Sequence, residues 1–275
     1  TVTYNGELLG VSFLFDFTLY ALLVFASIPG ILITVPNQAR RLAEVIAQRN
    51  SEPRSTSTNH FVIANLTQSV LFVLVTAAVG TALAHRAGLE APVFVSLTSN
   101  SPLWPALHPQ LVPAMLGGTL GALVHILLYY AVFRPRLDEQ TRSISERLLL
   151  QMGIVARVLF GGIFEEILFR WGIMSLLAWL GFKLIGVVTP LIIWSAILLS
   201  GLLFGLSHIP GALAIGAKKT PVLWTSALVM NLWGSIVFGW LFWQYGLFSA
   251  MMGHALFHLI WLPFQRYYSK KTSGF

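Results

Sequence analysis

Seven apolar runs set what this chain can become: Leu9–Ile33, Phe61–Leu83, Pro113–Phe133, Leu159–Leu180, Val187–Ser207, Leu223–Tyr245 and Leu247–Pro263. Each is about 17–25 residues, the length at which an α-helix crosses the ~30 Å hydrocarbon core of a bilayer. In lipid every backbone N–H and C=O must be bonded inside the protein, so such runs fold as packed helices. The expected architecture is an all-α, polytopic transmembrane helical bundle of about seven to eight spans. The last three runs crowd together, which leaves room for an eighth, split or re-entrant segment. The first run is too long for a signal-peptide core and reads as a true span. Only 10% of residues are charged and mean hydropathy is +0.76, against about 25% charged in a soluble domain. No stretch is polar enough to form a soluble domain, so residues 1–275 read as a single membrane domain.

Charge fixes the expected orientation. Alternate loops hold Arg40, Arg41, Arg49, Arg54, Arg134, Arg136, Arg142, Arg147, Lys218, Lys219, Arg266, Lys270 and Lys271, which is 13 of the 17 Lys and Arg. The opposite set holds Arg86 and Lys183. The positive-inside rule then predicts an N-terminus outside and a cytoplasmic C-terminus. The net charge of +7 is accounted for by topology and by anionic headgroups. No basic stretch sits on a soluble fold, so nucleic acid is not an expected partner; membrane lipid is. The absence of cysteine excludes disulfides, iron–sulfur clusters and thiolate catalysis.

Between spans, "EQTRSISERLLLQMGIVAR" (139–157) crowds charge at its start and apolar residues in its second half, the pattern of an interfacial amphipathic helix. The proline-rich Ser101–Pro113 reads as an irregular external loop. The nine Trp lie mostly near span ends and read as interface anchors. Asn65 opens an "NLT" sequon, but inside a span, where it has no glycosylation meaning.

Ionisable residues at membrane depth are costly and point to function. "GGIFEEILFR" places Glu165, Glu166 and Arg170 in the fourth span. Glu166 and Arg170 are spaced i,i+4 and meet on one helix face, an adequate structural reason for both. Glu165 is turned about 100° away and has no local partner. It must face water, a cation or another polar helix. His208, in "FGLSH", ends the fifth span, and read alone it is an ordinary interface histidine. His254 and His258, in "GHALFHLIW", stack at i,i+4 on the seventh span and are harder to dismiss. Counted from the predicted cytoplasmic ends, all four candidate groups fall in one layer, roughly 8–14 Å deep for the better-placed ones. The expectation is a polar intramembrane cavity on the cytoplasmic half. Asp16 and His125 are lone polar groups and read as structural, and Asn231 reads as an interhelical hydrogen-bonder.

A carboxylate in low dielectric becomes a competent general base near neutral pH, and imidazoles can orient a water or stabilise an oxyanion. Glu165, His208, His254 and His258 could do this without metal. They could also bind zinc, although the spacing is not HExxH. Taken in order on three membrane segments, "EEILFR", "FGLSH" and "HALFH" resemble the motifs of the CAAX prenyl protease and bacteriocin-processing (CPBP, or Abi) family of glutamate-type intramembrane proteases. The resemblance covers 149–265; residues 1–148 match only as generic membrane helices. It implies Glu165 as general base, His208 as its water-orienting partner, and His254 with His258 around the oxyanion. It implies Glu166 and Arg170, with Phe204, as structural support, and no cofactor. His258 departs from the Asn of the best-known members, which keeps the zinc alternative open. The implied substrate is a peptide or membrane protein. The short loops fit a prokaryotic cytoplasmic membrane. The competing reading is a non-proteolytic membrane protein, either a transporter using a buried proton relay or a bacteriocin-immunity or scaffold protein; no inverted repeat supports the transporter.

Overall fold

The computed structural model describes residues 15–50 and 55–273. Among them every regular element is helical: α1 (Phe17–Asn50), α2 (Ser55–Leu83), α3 (Pro92–Thr98), α4 (Leu103–Leu127), α5 (Glu139–Gln151), α6 (Ile154–Ala156), α7 (Ser175–Ile185), α8 (Pro190–Ala214), α9 (Pro221–Tyr245) and α10 (Leu247–Ser273). α6 and α7 are the two ends of one continuous helix, Ile154–Ile185. Its centre is π-wound over Arg157–Glu165 and Ile167–Met174. Seven helices are long and apolar enough to cross a membrane. The chain is an integral membrane protein of seven spans, with no eighth among the described residues.

Several boundaries differ from the apolar pattern. The start of the first apolar run, residues 9–14, lies outside the described residues. The first helix starts at Phe17, where the Asp16 carboxylate accepts the backbone N–H groups of Thr18 and Leu19 at 3.0 and 2.9 Å, an N-cap. It then runs past Ile33 to Asn50, through Pro29 and Pro36, so Arg40 and Arg41 ride on a helical extension rather than in a loop. The expected loop Ser101–Pro113 is also mostly helix: α4 begins at Leu103 and contains Pro109 and Pro113. Membrane helices tolerate proline when neighbours re-satisfy the freed carbonyls. Between the two prolines, the Gln110 side chain donates back to the Ala106 carbonyl of the preceding turn at 2.9 Å.

The segment after α4 does form the expected separate helix, α5, capped by Asp138 on the Thr141 N–H. Thr141 also accepts the Lys218 N–H at 2.9 Å, and Gln140 donates to the Gly216 carbonyl at 3.0 Å. The start of α5 is thereby tied to the α8–α9 loop.

Close backbone approach assembles the bundle. A Cβ on Gly118 of α4 would lie 2.5 Å from the carbonyl oxygen of Gly253 on α10. Two glycines face each other there, and no larger residue fits either helix without separating them. One core cluster joins residues from Leu19 to Trp261. Three tryptophans depart from the interface reading. Trp171 and Trp261 are buried, and the Trp233 indole donates to the Gly121 carbonyl at 2.9 Å. Asn231 donates back to Ala227 on its own helix, not across to a neighbour.

Candidate active site

The fourth span is the spine of the site, and its winding decides what it presents. A π-helix bonds i→i+5, and such segments recur at functional sites because they re-aim side chains that an α-helix would place elsewhere. Here π winding flanks Glu166 on both sides. The span is held on each face by α1, α2, α8 and α10.

Glu166 is fully buried and engages two partners. Its Oε2 lies 3.2 Å from Nε of the buried Arg170, and its Oε1 lies 2.7 Å from Nδ1 of His254 on α10. The sequence pairing with Arg170 is present. The link to His254 is new, and sequence spacing had no means of showing it. Arg170 is further held by the Ser235 hydroxyl at 3.2 Å and sits between the rings of Phe204 and Phe238, at 5.3 and 5.6 Å. Phe238 also stacks on His254, with centroids 4.3 Å apart. Ser235 and Phe238 escaped the sequence reading because a Ser and a Phe in a membrane helix carry no signal by themselves; only the fold brings α9 against Arg170.

Glu165 behaves differently. It is half-buried, and among the described residues it makes no hydrogen bond or ion pair. Its nearest charged neighbours are Glu166 and Arg170. The two adjacent carboxylates are therefore divided: one is consumed by structure and one is left for another partner.

The imidazoles converge on one gap in the spine. A Cβ on Gly161 would lie 2.7 Å from Nε2 of His258 and 3.5 Å from Nε2 of His254. Gly161 is on the helix of Glu165, four residues before it. The two rings are stacked, with centroids 4.8 Å apart. Their hydrogen bonds distinguish them. Nδ1 of His254 lies at hydrogen-bond distance from a Glu166 carboxyl oxygen, whereas Nδ1 of His258 has no partner. His208, at the exposed edge of α8, bonds the Phe204 carbonyl through Nδ1 at 2.8 Å. A carbonyl only accepts, so the proton is on Nδ1 and Nε2 is left as a free acceptor. His208 lies within electrostatic range of His254, and its ring meets Phe204 edge-on at 4.8 Å. His208 and Glu165 share no direct hydrogen bond.

His125 stays outside this group. It is buried on α4 between Phe257 and Trp261, with both ring nitrogens unpartnered. Among the described residues no three His, Cys, Asp or Glu side chains form a group that could hold a metal ion.

Searches among curated proteins and among solved structures gave no match. A family model did: type II CAAX prenyl endopeptidase, Rce1-like, over residues 147–260. That interval holds the π-wound spine and all three histidines. Over that interval, and there alone, the chain is similar to the Rce1-like type II CAAX prenyl endopeptidases.

Proposed function

We propose that this protein is an intramembrane endopeptidase in which Glu165 activates a water for attack on a peptide bond. The observation that carries the reading is the division of the carboxylates: Glu166 is ion-paired with Arg170 and bound to His254, and Glu165 has no hydrogen bond or ion pair among the described residues. The family match supports the reaction class.

In this mechanism Glu165 removes a proton from water while the free Nε2 of His208 accepts the other water hydrogen. The hydroxide adds to the carbonyl carbon, and the carbonyl oxygen takes the charge. The tetrahedral species then collapses, the C–N bond breaks, and the proton held by Glu165 passes to the leaving nitrogen. The oxyanion needs N–H donors. Neutral His258 can donate from Nε2, because nothing claims its other nitrogen. His254 has its Nδ1 proton committed to Glu166 and can donate from Nε2 only as an imidazolium, whose charge Glu166 balances. His258 thus fills the position of the family Asn with one N–H. Reaction without metal follows as part of the proposal, with the N-terminus outside and the site opening to the cytoplasmic half.

The test uses purified protein in liposomes with prenylated and unprenylated CAAX-type peptides, product masses, and metal analysis. Expected are one cleavage position and activity that persists in chelator. A stoichiometric zinc lost together with activity would move Glu165, His208, His254 and His258 into a ligand set. Cleavage of no peptide by well-folded protein would return the chain to the non-proteolytic class.

A further inference from the structure

α2 is the least covered of the seven spans. Val62, Leu66, Val73, Ala77 and Gly80 turn inward, and the helix packs on α1 and the fourth span. The seat is close. A Cβ on Gly172 of the fourth span would lie 2.5 Å from Cβ of Thr76, so α2 is not free to roll about its axis. Displaced by two positions, about 200° round the helix, Ala64, Gln68, Leu71 and Val75 point away from the bundle, and all four are exposed.

Gln68 is out of place on that face. At helical rise it lies about 15 Å from one end of the span Thr58–Leu83 and about 22 Å from the other, within the hydrocarbon core. Other polar side chains of α2 are satisfied inside the helix. Asn65 donates to the Phe61 carbonyl at 2.8 Å, Ser69 to the Asn65 carbonyl at 2.8 Å and Thr76 to the Phe72 carbonyl at 2.7 Å. Gln68 holds no hydrogen bond among the described residues. An unbonded amide is costly where there is no water, and glutamine is too short to snorkel to the interface as lysine and arginine do.

A primary amide both donates and accepts, so the partner it calls for must do the same. All copies of this chain insert with one topology. Two α2 helices therefore meet in parallel, about a two-fold axis along the membrane normal, and that axis sets Gln68 against the same residue of the second copy at the same depth. Each amide then donates to the other. The steps of four, three and four from Ala64 to Val75 are those of a knobs-into-holes seam, in which one polar amide fixes register and partner number. Ala64, one turn from Gln68, has no bulk to hold the helices apart.

We propose that two copies of this chain pair through the outer face of α2, with the Gln68 amides hydrogen-bonded to each other across the two-fold. The pairing does not depend on the protease reading.

The lack of cysteine makes the contact measurable in the full chain in liposomes. Ala64→Cys and Leu71→Cys keep Gln68 and should form disulfide-linked dimers on mild oxidation. Leu120→Cys should not, although Leu120 on α4 is equally lipid-facing, at 61% exposed. Energy transfer between copies labelled at Ser99→Cys, followed as lipid is added, gives the dimer affinity. Gln68→Leu should weaken it roughly 3- to 30-fold, the scale of an interhelical hydrogen bond in a membrane, and Gln68→Asn should retain most of it. Transfer no higher than random collision in the parent overturns the proposal, whether lipid alone or a helix of another protein then covers Gln68. A parent dimer unchanged by Gln68→Leu, or cross-linked equally through Leu120→Cys, overturns it as well. If Gln68→Leu does not fold, the cross-linking at Ala64→Cys and Leu71→Cys against Leu120→Cys decides alone.

Discussion

At the scale of single residues, the adjacent glutamates make opposite predictions. Arg170→Ala leaves Glu166 buried beside His254 with one partner gone, and breaking a buried pair by removing one member costs about 3–5 kcal/mol. The variant should lose melting temperature and yield together with activity. Glu165→Gln removes a carboxylate that holds no hydrogen bond or ion pair among the described residues, so its melting temperature should hold or rise. A thermal-shift comparison in detergent separates them; an inactive Arg170→Ala as stable as the parent would make Arg170 a reacting group. Gly161 gives a second prediction. A methyl there would lie 2.7 Å from Nε2 of His258, so Gly161→Ala must push the imidazole aside. A displacement of about 1 Å in a reacting geometry can cost on the order of 100-fold in rate. Turnover of Gly161→Ala should fall by about that factor with a much smaller loss of stability, and an unchanged kcat would place His258 outside the reaction. The histidines were legible as types and spacings, because ionisable groups stand out in apolar sequence. The Glu166–His254 bond was not, since it joins residues 88 positions apart.

At the scale of elements, packing rather than hydropathy decides the helix ends. The apolar pattern placed seven spans correctly in order but put the starts and stops several residues off. Hydropathy reports what lipid tolerates, whereas α1 and α4 continue through charge and proline beyond that limit. The π winding of the fourth span was invisible for a related reason. "RVLFGGIFE" scans as ordinary apolar membrane helix, and its π winding is seen only in the backbone of the folded chain, where it packs on α1 and α10. The glycine pair between α4 and α10 is the element-scale prediction. Gly118→Val drives a side chain into a backbone carbonyl 2.5 Å away, an overpacking that costs about 1–3 kcal/mol and more where backbone cannot yield. The melting temperature should drop clearly, with activity lost because α10 carries His254 and His258. A parent-like melting temperature would mean that α4 and α10 do not approach as closely as described.

At the scale of the whole molecule, the chain sets apolar helices around a short polar seam and gathers 13 of its 17 Lys and Arg in one set of loops. The lack of cysteine makes the orientation directly measurable. Single-cysteine variants at Lys218 and at Ser99 should label with a membrane-impermeant maleimide from opposite faces, Lys218→Cys only from the cytoplasm. Labelling of both from one side, or with the faces exchanged, would contradict the topology drawn from the arginines and lysines.

The central claim is that Glu165, and not its buried neighbour, performs the proton transfer. The most direct measurement is single-turnover cleavage of a CAAX-type peptide in liposomes by the parent and by Glu165→Gln, with melting temperature and peptide affinity recorded on the same samples. The account predicts that Glu165→Gln binds the peptide and melts at or above the parent temperature, while the cleavage rate falls by at least about 100-fold, the contribution of a positioned general base. Cleavage by Glu165→Gln at the parent rate would contradict it.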